Sequence, residues 1–284
     1  MLNPHPKQNG LLAALSAAEF RRLAPQCELV AMTQGDVLCH SGDKLKYAYF
    51  PTTAAISIQY ELEGGGASEI ASVGHEGMLG VSLFMGGASM PNRAIVQSDG
   101  DGYRLRAGLL LAEFHRKGPL FDLLLRYTQA LMTQMSQTAV CNGHHSTVQR
   151  LCRWLLQALD HSSTSELTVT QEALGNILGV RREGITEAAR RLQALGLISC
   201  RRGHIRVLTR TGLEQHVCEC YGVMRRESAR LLPLPHHPAS AKPASWHQRV
   251  GITNRRTGRL ERRGHTARDD DDALSDTQLI LHFP

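Results

Sequence analysis

No uninterrupted apolar run in this 284-residue chain is long enough to cross a bilayer. The opening MLNPHPKQNG lacks the basic n-region and apolar h-region of a secretory leader. A cytoplasmic protein is therefore expected. Seven cysteines, an odd number at irregular spacing, do not suggest a secreted disulfide framework, and no Cys-x-x-Cys occurs. Gly64-Gly65-Gly66 is not followed by Gly-Lys-Ser/Thr, so it reads as a hairpin turn and not as a phosphate-binding loop. No Ser/His/Asp or Cys/His constellation stands out. The chain is not read as an enzyme, and no metal or other cofactor is expected.

What is present is ordinary in bulk: 42% hydrophobic and 20% charged residues, enough for two compact domains and a tail. The formal charge of +6 and the pI near 9.1 suit a polyanionic partner.

The most informative stretch is Leu167 to Leu208. Ala173, Leu174, Ile177 and Leu178 share one face of a short helical pattern over 171–178. Ile185, Ala188, Ala189, Leu192 and Leu195 do the same over 181–195, a helix about 22 Å long at about 1.5 Å per residue. Thr170 is a candidate N-cap, Gly175 permits close helix crossing, and Gly179 supplies the positive φ of a tight turn. Beyond Gly196, two short strands at 197–200 and 205–208 flank Arg202-Gly203-His204 as a hairpin wing. Arg181, Arg182, Glu183, Thr186, Glu187 and Arg190 line the outward face of the second helix, and Arg201, Arg202 and Arg206 add charge from the wing. A helix-turn-helix, a wing and an arginine-lined face together predict binding to double-stranded DNA.

The segment VTQEALGNILGVRREGITEAARRLQALGLI resembles the winged helix of bacterial Crp/Fnr regulators, and the resemblance extends over roughly 24–223. It implies that Arg182 and Glu183, early in the recognition helix, read a G·C pair: guanidinium to guanine O6 and N7, carboxylate to cytosine N4. It further implies that Thr170, Gln171, Glu172 and Arg181 touch phosphate. Glu187 stands where many members carry a base-reading arginine, so the half-site sequence does not transfer.

From Cys27 to about Leu105, short apolar runs at 29–32, 47–50, 54–60, 69–73 and 94–97 alternate with Gly, Asp and Pro turns, as in a β-barrel or jelly roll. The resemblance makes this a cyclic-nucleotide-binding-like roll. Its effector pocket would fall at Gly77, Met78, Gly80 and Arg93. Met78 replaces the glutamate that holds the ribose in cyclic-AMP binders, and Arg93 lies far along the chain from it. Cyclic AMP is therefore not expected as effector, and the effector is left unknown.

The expected fold is α+β. It comprises an N-terminal helix (1–23), a β-roll sensor (24–114), a long dimerisation helix (115–143), a winged helix-turn-helix (144–226) and a disordered tail (227–284). Leu124, Leu131 and Thr138 recur every seven residues, flanked by Leu120, Tyr127 and Met135; this stripe is the expected homodimer seam. RNA polymerase is a candidate partner. Two rivals stand beside a homodimeric regulator: a thiol- or metal-based redox sensor using Cys27, Cys39, Cys218 or Cys220, and a cupin-like enzyme using His40 and His75. Cys218-x-Cys220, placed within a helix over 211–226, is expected to point its thiols in different directions as packing groups.

Overall fold

The computed structural model describes residues 4–232 except 65, 88 and 163. The chain opens with two helices, α1 (Gly10–Ala13) and α2 (Ala17–Leu23), where a single N-terminal helix within 1–23 is expected. The break is a capping box: the Ser16 hydroxyl accepts from Glu19 N while the Glu19 carboxylate accepts from Ser16 N.

Seven strands follow: β1 (Glu28–Met32), β2 (Val37–Cys39), β3 (Tyr47–Pro51), β4 (Ala55–Glu61), β5 (Ala67–Val73), β6 (Arg93–Ser98) and β7 (Gly100–Arg106). They form two antiparallel sheets, ordered β1-β7-β3 and β2-β6-β4-β5. Phe50, Tyr103 and Leu105 from the first sheet share one core with Ile56, Ile58, Val73 and Val96 from the second. Strand β7 went unread because Gly100 and Gly102 interrupt its apolar pattern. A Cβ at Gly102 would sit 3.0 Å from the Phe50 carbonyl oxygen, so the close approach of β3 requires glycine there.

A short α3 (Val81–Phe84) leaves the roll, and α4 (Ala107–Phe114) leads into α5 (Pro119–His144). With 26 residues, α5 spans about 39 Å at about 1.5 Å per residue. Its inner stripe is Leu120, Leu123, Leu124, Tyr127 and Leu131, all packed into the core of the roll. The residues of the expected dimer seam face the roll: Leu120, Leu124, Tyr127, Leu131 and Thr138 are buried, and Met135 half-buried, within the single chain. A heptad stripe shows that a face is covered, not by what.

The C-terminal module consists of α6 (Thr147–His161), β8 (Glu166–Thr168), α7 (Gln171–Leu178), α8 (Arg182–Ala194), β9 (Ile198–Arg201), β10 (His204–Val207), α9 (Arg210–His216) and α10 (Glu219–Leu231). Its sheet is ordered β8-β10-β9. A second core unites Trp154 and Leu155 of α6, Leu174 and Leu178 of α7, Ile185 and Leu192 of α8, and Ile205 of the wing. The single helix expected over 211–226 is two, α9 and α10, with Val217 and Cys218 extended between them. The expected tail boundary at 227 also moves. Helix α10 continues to Leu231, and Leu231 and Leu232 are buried in the core of the roll. The remainder of the expected tail, 233–284, lies outside the described residues, as does its arginine-rich stretch. Among the described residues no helix is long and apolar enough to cross a membrane.

Candidate nucleic-acid interface

The turn between α7 and α8 determines how the interface is presented. Gly179 adopts φ 62° and ψ 38°, the left-handed C-cap of α7, and Val180 N donates to Gly175 O at 2.9 Å. A Cβ on Gly175 would lie 2.9 Å from the Val180 carbonyl oxygen, so both glycines are required by the crossing. Thr170 caps α7, its hydroxyl accepting from Ala173 N at 3.0 Å.

Helix α8 begins without such a cap. Arg181 occupies the N-cap position in extended conformation with no side-chain hydrogen bond, leaving the first backbone N–H groups of a 13-residue helix for an external acceptor. Ile185, Ala188, Ala189 and Leu192 bury the inner face. On the outer face Arg181, Arg182, Glu183, Glu187 and Arg190 are exposed, as are Glu172 and Thr170 on α7 and its cap. Arg201 and Arg202 are exposed at the wing turn. None of these arginines forms an ion pair among the described residues.

Three predicted contacts are occupied within the fold. Thr186 is half-buried, and its hydroxyl donates to Gln171 Oε1 at 2.8 Å and approaches the Arg182 carbonyl oxygen at 3.0 Å. Thr186 and Gln171 thus also lock α7 to α8. Arg206 is drawn to Glu166 across the β8-β10 pair at 2.7 Å, so the wing's outward charge comes from Arg201 and Arg202.

Several of the predicted effector residues are engaged within the fold. Met78 is fully buried, and its carbonyl oxygen accepts from the Tyr127 hydroxyl at 2.8 Å. The Gly77 carbonyl oxygen accepts from Asn9 Nδ2 at 2.8 Å, and a Cβ at Gly77 would collide with Tyr127. Gly80 opens α3 with φ 128°. Arg93 directs its guanidinium to Glu61 at 2.9 Å. The roll does have a cleft of about 480 Å³ elsewhere, between Leu38, Cys39, Lys44, Lys46, Tyr47 and Tyr49.

The thiols separate into two groups. Cys27 and Cys39 pack in the roll, and burial pushes both thiols up, Cys27 to about 11. Cys218 and Cys220 lie elsewhere, with Cys141 and His145. Because Cys218 is the extended N-cap of α10, the angular argument for two residues inside a helix does not apply to it. Among the described residues this is the only group of three or more His, Cys, Asp or Glu donors close enough together to hold one metal ion, and it includes neither His40 nor His75.

Comparison with known families decides what the module is. Residues 149–216 match the Crp-like helix-turn-helix domain. Over about two thirds of its length the chain is similar in fold to solved Crp/Fnr regulators. It is similar to FixK2 from Bradyrhizobium japonicum (13% identity, 68% of this chain and 98% of that one, TM-score 0.57). It is similar to the c-di-GMP responsive global regulator CLP of Xanthomonas campestris (15%, 68% and 100%, TM-score 0.53). A CRP/FNR-family transcriptional regulator from Thermus thermophilus also superposes (20%, 66% and 97%, TM-score 0.52). Comparison with curated proteins gives no match. The Crp-like domain is a DNA-binding module, and it contains the turn, the uncapped helix and the wing described above.

Proposed function

We propose that the protein is a homodimeric transcription regulator that places α8 of each subunit in the major groove of a pseudo-palindromic operator. The observation that carries this reading is the start of α8: an uncapped helix end bearing Arg181, Arg182 and Glu183 in solvent, on a Crp-like scaffold. Arg182 and Glu183 are the base-reading pair, while Thr170, Gln171, Glu172 and Arg181 approach phosphate and Arg190 and Arg202 add charge on the same face.

Support for the dimer comes from the outer face of α5. Leu125 (41% exposed) and Met132 (61%) are spaced seven apart, and Ala139 continues the register beside Val140 (46%). This face is one residue out of step with the buried stripe and has the spacing of a coiled-coil seam. RNA polymerase is a further partner consistent with such a regulator. Cyclic AMP is not proposed as its effector: Met78 is sealed beneath Tyr127, and Arg93 is engaged by Glu61.

Selection from a random duplex library tests the proposal. The expected outcome is enrichment of a two-fold symmetric motif with G·C pairs in each half-site. Recovery of unenriched sequence would overturn it.

A further inference from the structure

The last turn of α5 meets the start of α10 with four soft donors facing one another. Cys141 lies in the last turn of α5, and His145, four residues on, is its extended C-cap; Cys218 occupies the N-cap position of α10, and Cys220 lies in its first turn. One donor atom from each falls within 4.8 Å of all the others. The Cys141 and Cys218 sulfurs are 3.6 Å apart, and Cys220 Sγ is 3.5 Å from His145 Nδ1. The three cysteines are buried.

We propose that Cys141, His145, Cys218 and Cys220 form a mononuclear Cys3His site for a thiophilic divalent ion of the zinc class, clamping α10 onto the end of α5. A tetrahedral zinc with bonds of about 2.3 Å to sulfur and about 2.0 Å to nitrogen spaces its ligands about 3.8 Å (S···S) and about 3.6 Å (S···N) apart. The Cys141–Cys218 and Cys220–His145 separations match that polyhedron, and the others fall within 4.8 Å. An iron–sulfur cluster would distribute the four ligands over at least two irons and hold them farther apart.

The surroundings complete the site. His145 presents Nδ1 to the thiols and Nε2 to Glu219 Oε1 at 3.3 Å, the carboxylate–histidine pairing that fixes the ring of a metal ligand. Three thiolates and one divalent ion leave a net charge of −1. The guanidinium of Arg153, only 3% exposed, acts electrostatically on Cys141, and the N-terminal end of α10 adds positive potential at Cys218 and Cys220. Binding releases the protons of the three thiols to solvent, and the imidazole enters neutral.

The placement gives the ion a task. Everything from α6 to α9, and with it the whole Crp-like match of 149–216, lies between the two ligand pairs. One ion therefore ties both ends of the DNA-binding module to the helix that leaves the roll.

The full chain, purified anaerobically and stripped of metal under reducing conditions, is titrated with Co²⁺. One equivalent is expected to produce a thiolate-to-cobalt charge-transfer band and the intense d–d bands of tetrahedral cobalt, and one equivalent of Zn²⁺ to abolish both. Cys220→Ser and Cys141→Ser should lose these bands, while Cys39→Ser and Cys200→Ser keep them. Glu219→Gln should weaken cobalt binding by about 10–100-fold while retaining the bands. Should a ligand variant not fold, the wild-type spectrum decides alone. Weak octahedral absorption, no uptake, or unchanged bands in a folded Cys220→Ser protein would overturn the site.

Discussion

Arg182 and Glu183 project from the first turn of α8 with no ion pair among the described residues to hold them back, so their removal leaves the fold's contacts intact. Arg182→Ala or Glu183→Ala should reduce binding to the selected operator by about 1–3 kcal/mol and leave binding to random duplex nearly unchanged. Fluorescence anisotropy on both duplexes separates base readout from phosphate contact; equal losses on the two would assign the pair to phosphate. These residues were legible in the sequence because a helix of known periodicity determines which positions face outward. The second engagement of Thr186 was not legible. Its hydrogen bond to Gln171 depends on how closely two helices cross, which periodicity does not encode. Arg93 illustrates the same limit: the Glu61 that engages it is distant in sequence and adjacent only through the β4-β6 register.

At the scale of elements, helix α5 presents two stripes offset by one residue, and only the structure distinguishes them. Leu124 is wholly buried against the roll, whereas Met132 is 61% exposed. Leu125→Glu with Met132→Glu should therefore convert a dimer to a monomer in sedimentation without lowering the melting temperature by more than a few degrees. A dimer that persists would remove the outer face from the account. The elements themselves were read unevenly. The helix over 171–178 matches its predicted bounds, since its apolar spacing is uninterrupted. Strands β2 and β8 are only three residues long and have too little pattern to register. The break at Val217 and Cys218 leaves no Gly or Pro signal, and missing it hid the convergence of Cys218 and Cys220 with Cys141 and His145.

Across the molecule, the roll and the Crp-like domain meet through ionisable groups. His161 of α6 reaches Glu76 of the roll at 3.2 Å, and Glu69 of β5 is buried with its carboxylate 2.5 Å from the Ser57 hydroxyl. Burial pushes Glu69 up to about 7, against the opposing pull of Ser57, Arg153, His161 and Trp154. Burial is the largest single influence on His161 and would lower it, but Glu76, with Asp160 and Glu69, raises the imidazole; the same pairing helps hold Glu76 down to about 2 against its own burial. Groups with raised values stabilise fully below their unfolded values and lose that contribution as pH rises through the folded ones. Glu69 thus weakens the protein progressively from about pH 4.5 to 7, and His161 does so from about pH 6.5 upward. Glu76, being depressed, loses its contribution only as pH falls from about 4.5 toward 2. The melting temperature should fall between pH 5 and 8.5, and Glu69→Gln should flatten the decline up to pH 7, gaining on the order of 1–3 kcal/mol at pH 8. An unchanged profile in that variant would place the titration elsewhere.

Deleting residues 233–284 preserves α10 and its buried Leu231 and Leu232, so melting temperature and operator preference should persist. Loss of the arginine cluster in that stretch should reduce the salt dependence of binding, as read from log–log plots of affinity against salt.

The central claim is that two α8 helices read one operator across a two-fold axis. Hydroxyl-radical footprinting of the full chain on the selected duplex tests it most directly. Two protected half-sites centred about one helical turn apart, ~34 Å, are expected, with protection of both lost together in the Leu125→Glu, Met132→Glu protein. A single protected half-site, or protection indifferent to the seam substitutions, would contradict it.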